Sequence, residues 1–160
     1  MHLEAIQPQA APPPAVHPFP HHYRVTASAA PDREVALDSD GLGTLQTLPP
    51  AQFGGPGDHW SPETLLIGAL SSCFVLTFRA IARARRLAWV SLSCEVEGVL
   101  VHEQGNSHFT DFVLHARLRV PASADVELAE QLLNKAEHGC LVTNSLSGNC
   151  RLKVSIERVG

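Results

Sequence analysis

The sequence predicts an α+β fold with one long apolar helix and several long strands. Three features indicate it. A strong helix-start signal at Ser61 precedes a long apolar stretch, residues 90–96 and 112–120 alternate apolar and polar side chains, and residues 123–138 repeat apolar side chains at helical spacing. The predicted order is therefore β-β-α-β-β-α-β, with a short helical segment before the last strand.

The chain length and composition predict a single domain that handles a small molecule. Its 160 residues, 44% of them hydrophobic, suffice for one core. The net charge of −4 gives no reason to expect nucleic acid or an anionic membrane as the main partner. Charges interrupt every apolar run before the roughly 20 residues that a bilayer requires, so no membrane span is expected. Residues 1–22 do not resemble a secretory signal, and we expect a cytoplasmic protein.

The N-terminal third predicts a tail, a hairpin and a loop. Residues 1–22 are rich in Pro, Ala and His without periodicity, which is typical of a flexible tail and leaves 23–160 as the domain. Residues 23–28 and 35–38 form the expected antiparallel hairpin, before a turn at 39–41. Residues 49–60 are dense in Pro and Gly and predict an irregular, functional loop.

The central helix is predicted from Ser61 to about Leu87. Ser61 supplies an N-cap hydroxyl, Pro62 suits the first helical position, and Glu63 favours the positive end of the helix. The first half, 65–76, is apolar on nearly every side, which indicates a helix buried in the centre. The second half should reach water, because it carries Arg79, Arg83, Arg85 and Arg86.

The C-terminal half predicts two long antiparallel strands, an amphipathic helix and a last strand. The strands are centred on 90–96 and 112–120. The helix covers 123–138, and Gly139 stands where a C-terminal cap belongs. In the last strand, from Cys150 to Ile156, every second residue is apolar.

The four cysteines have no Cys-x-x-Cys spacing, which disfavours a structural disulfide framework. Cys94 and Cys150 fall on the apolar phase of strands and are interpreted as inert core residues. Cys73 lies midway along the central helix, and Cys140 directly follows the helix-ending glycine. By residue type alone, a small core side chain is the preferred interpretation of Cys73 as well.

Two motifs change that interpretation. Segment 61–74 (SPETLLIGALSSCF) resembles the central-helix motif of the osmotically induced and organic-hydroperoxide-resistance (OsmC/Ohr) family, with Ser-Pro-Glu followed ten residues later by Cys-Phe. Segment 139–144 (GCLVTN) resembles the family's second motif, in which a cysteine opens a short helix. The resemblance implies antiparallel sheets wrapped around the long central helix in an intertwined homodimer, with active sites at the subunit interface.

The resemblance also implies a reaction. Cys73 would attack an organic hydroperoxide and become a sulfenic acid, which Cys140 would convert to a Cys73–Cys140 disulfide. A dithiol such as a lipoylated protein would then reduce the disulfide, and no cofactor or metal is required. Apolar neighbours such as Leu70, Phe74 and Phe78 should bury the alkyl part of the substrate and so favour organic hydroperoxides over hydrogen peroxide.

In the family, an arginine held by the motif glutamate activates the cysteine. Ten residues separate Glu63 from Cys73, about 15 Å along a helix, so Glu63 would reach the site from the partner chain. Burial raises a thiol pKa, so Cys73 is expected to need a nearby cation. The loop before the helix has no arginine, which leaves Arg33 as the first candidate and Arg24 as the second. The alternative interpretations are a first-turn acid that favours the helix dipole for Glu63 and a solvated turn charge for Arg33.

Three other functions remain open at this stage. The chain could be a diverged small-ligand-binding protein that keeps the pocket but has weak or no peroxidase activity. It could hold zinc through Cys73, His138, Cys140 or His59, although finger-like ligand spacing is missing. It could also be a cysteine hydrolase with Cys73 as the nucleophile. Peroxide reactivity, zinc content and ester turnover discriminate among them.

Overall fold

The computed structural model describes residues 16–160 and divides the chain into two units, which meet between Leu45 and Gln46. In the first unit, β1 (Thr26–Ser28) pairs antiparallel with β2 (Val35–Asp38), which confirms the predicted hairpin. Of the predicted tail, 1–15 lie outside the described residues and 16–22 are exposed. The proposed domain boundary at residue 22 stays a prediction.

A short strand and the two helices come next in the chain. β3 spans Leu45–Thr47, α1 spans Pro62–Ala84 and α2 spans Val126–His138. The loop before α1 is less irregular than expected, since a 3-10 turn forms at Ala51–Phe53, between Pro50 and the left-handed Gly54. The α1 helix ends before the predicted Leu87 because Arg86 takes a left-handed φ of 54°.

The sheet of the second unit has the strand order β4-β5-β6, formed by Ser91–Glu103, Asn106–Pro121 and Asn149–Val159. β4 and β5 are antiparallel, as predicted, and Gln104 and Gly105 join them with positive φ angles of 52° and 77°, which suit a type I′ turn. β6 runs parallel to β5, so the expectation of purely antiparallel sheets is wrong. The reason is that α2 follows β5 in the chain and runs back along it, so that β6 starts near the end of the sheet at which β5 starts.

The core of the second unit lies between the inner face of this sheet and the two helices. α1 packs against α2 and β4. Buried sheet residues are Phe112, Leu114, Ala116, Leu118 and Val120, and they meet Leu70, Phe74, Phe78 and Ala82 of α1 and Ala129, Leu132, Leu133 and Ala136 of α2.

One face of α1 is fully buried, and the all-round burial predicted for 65–76 is wrong for a single chain. Leu76 is 53% exposed, and Ala69 and Ser72 are exposed as well. The physical reason is that the sheet and α2 pack against only one side of α1.

By length and composition, α1 could also cross a membrane, contrary to the sequence-based expectation. It has 23 residues, and an 18-residue window within it has a mean hydropathy of 1.9. The expectation failed because the arginines lie near the end of the helix, leaving a long window with few charges. The observation is weak evidence for a membrane, since a core helix passes the same test and α1 contributes Phe74 and Phe78 to the core.

Candidate active site

The helix packing brings Cys73 and Cys140 together, although they are far apart in sequence. Cys73 is half-buried on α1, next to the fully buried Phe74. Cys140 follows Gly139, the C-cap of α2, and is 0% exposed. The Cys140 thiol is close enough to Cys73 to lower the pKa of Cys73, and neither cysteine is in a disulfide. The pair therefore forms a mixed site, with one accessible thiol and one shielded thiol.

A helical turn after Cys140 shapes the surroundings of Cys73. The Asn144 N–H donates to the Cys140 carbonyl at 3.0 Å, and the Ser145 N–H donates to the Val142 carbonyl at 3.0 Å. The first N–H groups of such a turn have no acceptor within it. Those of Leu141 and Val142 instead interact with the Cys73 thiol.

The surroundings lower the pKa of Cys73. Burial is the largest single effect and raises the pKa, but hydrogen bonds from the Val142 amide, the Cys140 thiol, the Leu141 amide and the Thr77 hydroxyl together outweigh it. These hydrogen bonds lower the pKa without a cation from the same unit, and the expected activating cation stays a prediction. The sequence analysis missed the hydrogen bonds because main-chain amides have no signature in residue type; only a helical turn predicted directly after Cys140 could have indicated them.

The pKa values of the other three thiols are shifted upward, opposite to that of Cys73. Burial raises the pKa of Cys140, and the neighbouring Cys73 adds to the effect. Burial also raises the pKa of Cys94, to about 11. The pKa of Cys150 is raised by burial and by the charges of Glu137 and Cys140. Cys73 is thus the thiol most readily converted to the nucleophilic thiolate.

The start of α1 forms a second feature, around Glu63. The Ser61 side chain accepts a hydrogen bond from the Thr64 N–H at 3.2 Å, and the Ser61 N–H donates to the Thr64 hydroxyl at 2.8 Å, which confirms Ser61 as the N-cap. The Glu63 Oε2 atom is buried and has no hydrogen-bond partner among the described residues. Within one chain, Glu63 and Cys73 are kept apart by ten helical residues, about 15 Å.

A cavity of about 640 Å³ lies beside Glu63 in the second unit. Its walls include Trp60, Ile67 and Phe109, and no cysteine lines it. The residues expected to hold the alkyl part of a substrate do not contribute, because Leu70, Phe74 and Phe78 are fully buried in the core. That expectation is wrong, because a spacing of four residues places these three side chains on the buried face of α1.

Arg33 lies in the first unit, in an exposed turn, where its N–H donates to the Ala30 carbonyl at 3.2 Å. Arg24 belongs to the same unit, and its carbonyl accepts from the Ser39 hydroxyl at 3.0 Å. A role for either arginine at Cys73 stays a prediction. Within residues 16–160, no group of three or more His, Cys, Asp or Glu side chains is arranged to hold a metal ion.

The fold and the site define a class of α+β protein in which a long apolar helix presents one thiol to a second thiol on an adjacent turn. The chain belongs to the OsmC-like protein family, which matches residues 55–155. This finding confirms the resemblance of segments 61–74 and 139–144.

Relatives and solved structures support the same assignment. The uncharacterized protein YmaD from Bacillus subtilis is 27% identical over 139 residues, covering 84% of this chain and 92% of that protein. An OsmC-like protein of unknown function from Vibrio cholerae has a TM-score of 0.78 at 18% identity and covers 85% of this chain and 100% of that one. An organic hydroperoxide resistance protein from Legionella pneumophila has a TM-score of 0.67 at 26% identity, with 86% and 99% coverage.

Proposed function

We propose that this protein is a thiol peroxidase that reduces organic hydroperoxides at Cys73. The observation that carries the proposal is that α1 and the end of α2 bring the half-buried Cys73 close to the fully buried Cys140, with hydrogen bonds that lower the pKa of Cys73. Thiolates are the reactive form of cysteine, and a redox cysteine commonly has a resolving cysteine beside it. Similarity to a protein named as an organic hydroperoxide resistance protein supports the choice of substrate.

The proposed reaction has two steps within the chain. The Cys73 thiolate attacks the terminal oxygen of the hydroperoxide, the O–O bond breaks, and the alkoxide leaves and takes up a proton, so that Cys73 becomes a sulfenic acid. The Cys140 sulfur then attacks the Cys73 sulfur, loses its proton and displaces water, which forms the disulfide. A dithiol, such as that of a lipoylated protein, reduces the disulfide and regenerates both thiols.

The different surroundings of the two thiols suit these roles. Burial and the raised pKa keep Cys140 protonated and shielded, so peroxide should react with Cys73 first. The amides of Leu141 and Val142 belong to the turn that holds Cys140, so the element that activates Cys73 also positions the resolving thiol.

We further propose that the working form is a homodimer in which Glu63 and the cavity of one chain complete the site of the other. Three observations support this. The Glu63 Oε2 atom is buried without a hydrogen-bond partner among the described residues, the cavity wall contains no cysteine, and the large apolar side chain of Leu76 on α1 is exposed. In such a dimer, Trp60 and Phe109 would contact the alkyl part of the substrate.

Stopped-flow oxidation of the reduced protein by cumene hydroperoxide and by hydrogen peroxide tests the proposal, with mass mapping of the product. We expect faster reaction with the organic peroxide and a Cys73–Cys140 disulfide. Cys73→Ser should abolish the fast phase, Cys140→Ser should stop the reaction at a sulfenic acid, and Cys94→Ser should behave like the wild type. A slow reaction in all variants would contradict a peroxidase role.

The cavity itself favours a second candidate, a small-ligand-binding protein with weak peroxidase activity. It is apolar and large enough for a small organic molecule, and it is separate from the thiol pair within the chain. Saturable calorimetric binding of cumyl alcohol, combined with slow oxidation of Cys73, would support this function over the peroxidase.

A further inference from the structure

The other three cysteines of the chain all lie near Cys140. Cys140 belongs to the buried core, and Cys73, Cys94 and Cys150 pack against that core. The Cys140 thiol helps to lower the pKa of Cys73, and its charge acts on both Cys94 and Cys150. The proposed peroxidase cycle uses only two of these thiols, so two thiols close to the resolving cysteine have no assigned role.

The sheet register distinguishes Cys150 from Cys94. Cys150 lies near the start of β6, opposite Phe112 of β5. A helix that connects two parallel strands runs back along them, so the C-terminal end of α2, and Cys140 after it, reaches the edge of the sheet at which β6 starts. Cys94 lies opposite Ala116, on the other side of β5 and four residues further along it, a shift of about 13 Å.

Local contacts support the same distinction. The Cys94 carbonyl accepts a hydrogen bond from the Ser71 hydroxyl at 2.7 Å, which ties that part of β4 to α1. Cys150 instead follows Cys140 by only ten residues, and its thiol donates a long hydrogen bond, at 4.0 Å, to the Gly148 carbonyl at the end of the segment 140–148. Of the two unassigned thiols, Cys150 is therefore the better placed to meet Cys140.

Building on the proposed peroxidase, we propose that Cys150 is a third redox cysteine, which takes the disulfide over from Cys73 by exchange at Cys140. The Cys150 thiol loses its proton to solvent and its sulfur attacks the Cys140 sulfur. The Cys140–Cys150 bond forms as the Cys73–Cys140 bond breaks, and Cys73 leaves as a thiolate. The exchange involves no net oxidation or reduction and needs no further reagent.

The electrostatics of the site favour this direction of exchange. A thiol of lower pKa is the better leaving group in thiol–disulfide exchange. The pKa of Cys73 is lowered by its hydrogen bonds, in spite of burial, whereas burial raises the pKa of Cys150.

The exchange has two consequences for the cycle. Cys73 is free to react with a second peroxide before any external reductant arrives. The stored disulfide also offers a half-buried sulfur, that of Cys150, outside the peroxide site, which matters because Cys140 itself is 0% exposed.

The test uses the full chain, fully reduced and freed of reductant, with cumene hydroperoxide added stepwise and samples acid-quenched from milliseconds to minutes. Peptide mapping should find the Cys73–Cys140 disulfide first and the Cys140–Cys150 disulfide later. Wild-type protein should consume two equivalents of peroxide per chain. In the presence of dimedone, one chain should carry both a Cys140–Cys150 disulfide and a dimedone adduct on Cys73.

Two matched variants complete the experiment. Cys150→Ser should consume one equivalent and retain the Cys73–Cys140 disulfide, while Cys94→Ser, another half-buried strand cysteine, should consume two. If wild-type protein forms only the Cys73–Cys140 disulfide and consumes one equivalent, the exchange is refuted and the peroxidase stands. If the Cys73–Cys140 disulfide never forms, the proposed function itself fails. The wild-type mapping decides between these outcomes even if Cys150→Ser does not fold.

Discussion

Thr77 lies one helical turn after Cys73 on α1, and its hydroxyl helps to lower the pKa of the Cys73 thiol. The same side chain meets the end of α2, since a Cβ atom placed on Gly139 would lie 3.5 Å from the Thr77 methyl group. Thr77 therefore contacts both the reactive thiol and the segment that carries the resolving thiol. This relationship depends on the close approach of α1 to the C-terminal end of α2.

We expect Thr77→Val to make Cys73 less reactive while preserving the packing. Valine keeps the volume but removes a hydrogen bond to the thiolate, worth about 0.5–1.5 kcal/mol. The alkylation rate of Cys73 by iodoacetamide at pH 7 should fall by about 2- to 10-fold, and the pH profile should move upward. Ser72→Ala, an exposed change on the same helix, is the control and should leave the profile in place. An unchanged profile in Thr77→Val would show that the hydroxyl does not stabilise the thiolate.

Leu76→Asp should weaken self-association more than it weakens the fold. Leu76 is 53% exposed in the single chain, so the charge remains hydrated in a monomer but would be buried in the proposed dimer. Sedimentation should report a dimer for the wild type and monomers for the variant, with a reduced rate of peroxide reduction. Val90→Asp, at a side chain that is 52% exposed outside α1 and outside the cavity, serves as the control. Dimers of equal strength in Leu76→Asp would argue against an interface on this face.

Gly148→Ala should destabilise the protein by about 1–3 kcal/mol, as overpacking does. An added Cβ would lie 2.8 Å from the Phe112 ring and 3.1 Å from the Phe109 and Thr110 carbonyl oxygens, and two of these three contacts are with backbone. Urea unfolding measures the difference. Gly43→Ala is the matched control, because nothing lies within 4 Å of its added Cβ and its φ is not left-handed. Equal unfolding midpoints for the two variants would contradict the close approach at Gly148.

Cys94 should make the reduced protein less stable in alkaline solution. Burial raises its pKa from the ordinary 9.0 to about 11 in the folded state. The stability linked to this thiol is complete below pH 9 and is lost as the pH rises towards 11, because the unfolded chain releases the proton first. Urea midpoints of the reduced wild type should therefore fall across this range, and those of Cys94→Ala should fall less steeply. Parallel slopes would contradict the raised pKa.

Much of the architecture was predictable because it depends on local patterns. Ser61 and Pro62 define the start of α1 through hydrogen bonding and a fixed φ, and alternation within 112–120 defines the buried face of β5. These signals arise within a few residues, so they survive in the sequence. The parallel direction of β6 was not predicted, because alternation along a strand is the same in either direction.

The sequence by itself determined which elements form and which cysteines belong to the two motifs, Cys73 and Cys140. Only the tertiary structure decided how the four thiols differ, because a thiol pKa depends on burial and on hydrogen bonds from elsewhere in the chain. The packing of α1 against α2 turns the amides of Leu141 and Val142 towards Cys73 and buries Cys140. Two cysteines of the same chemical type thereby acquire opposite pKa shifts.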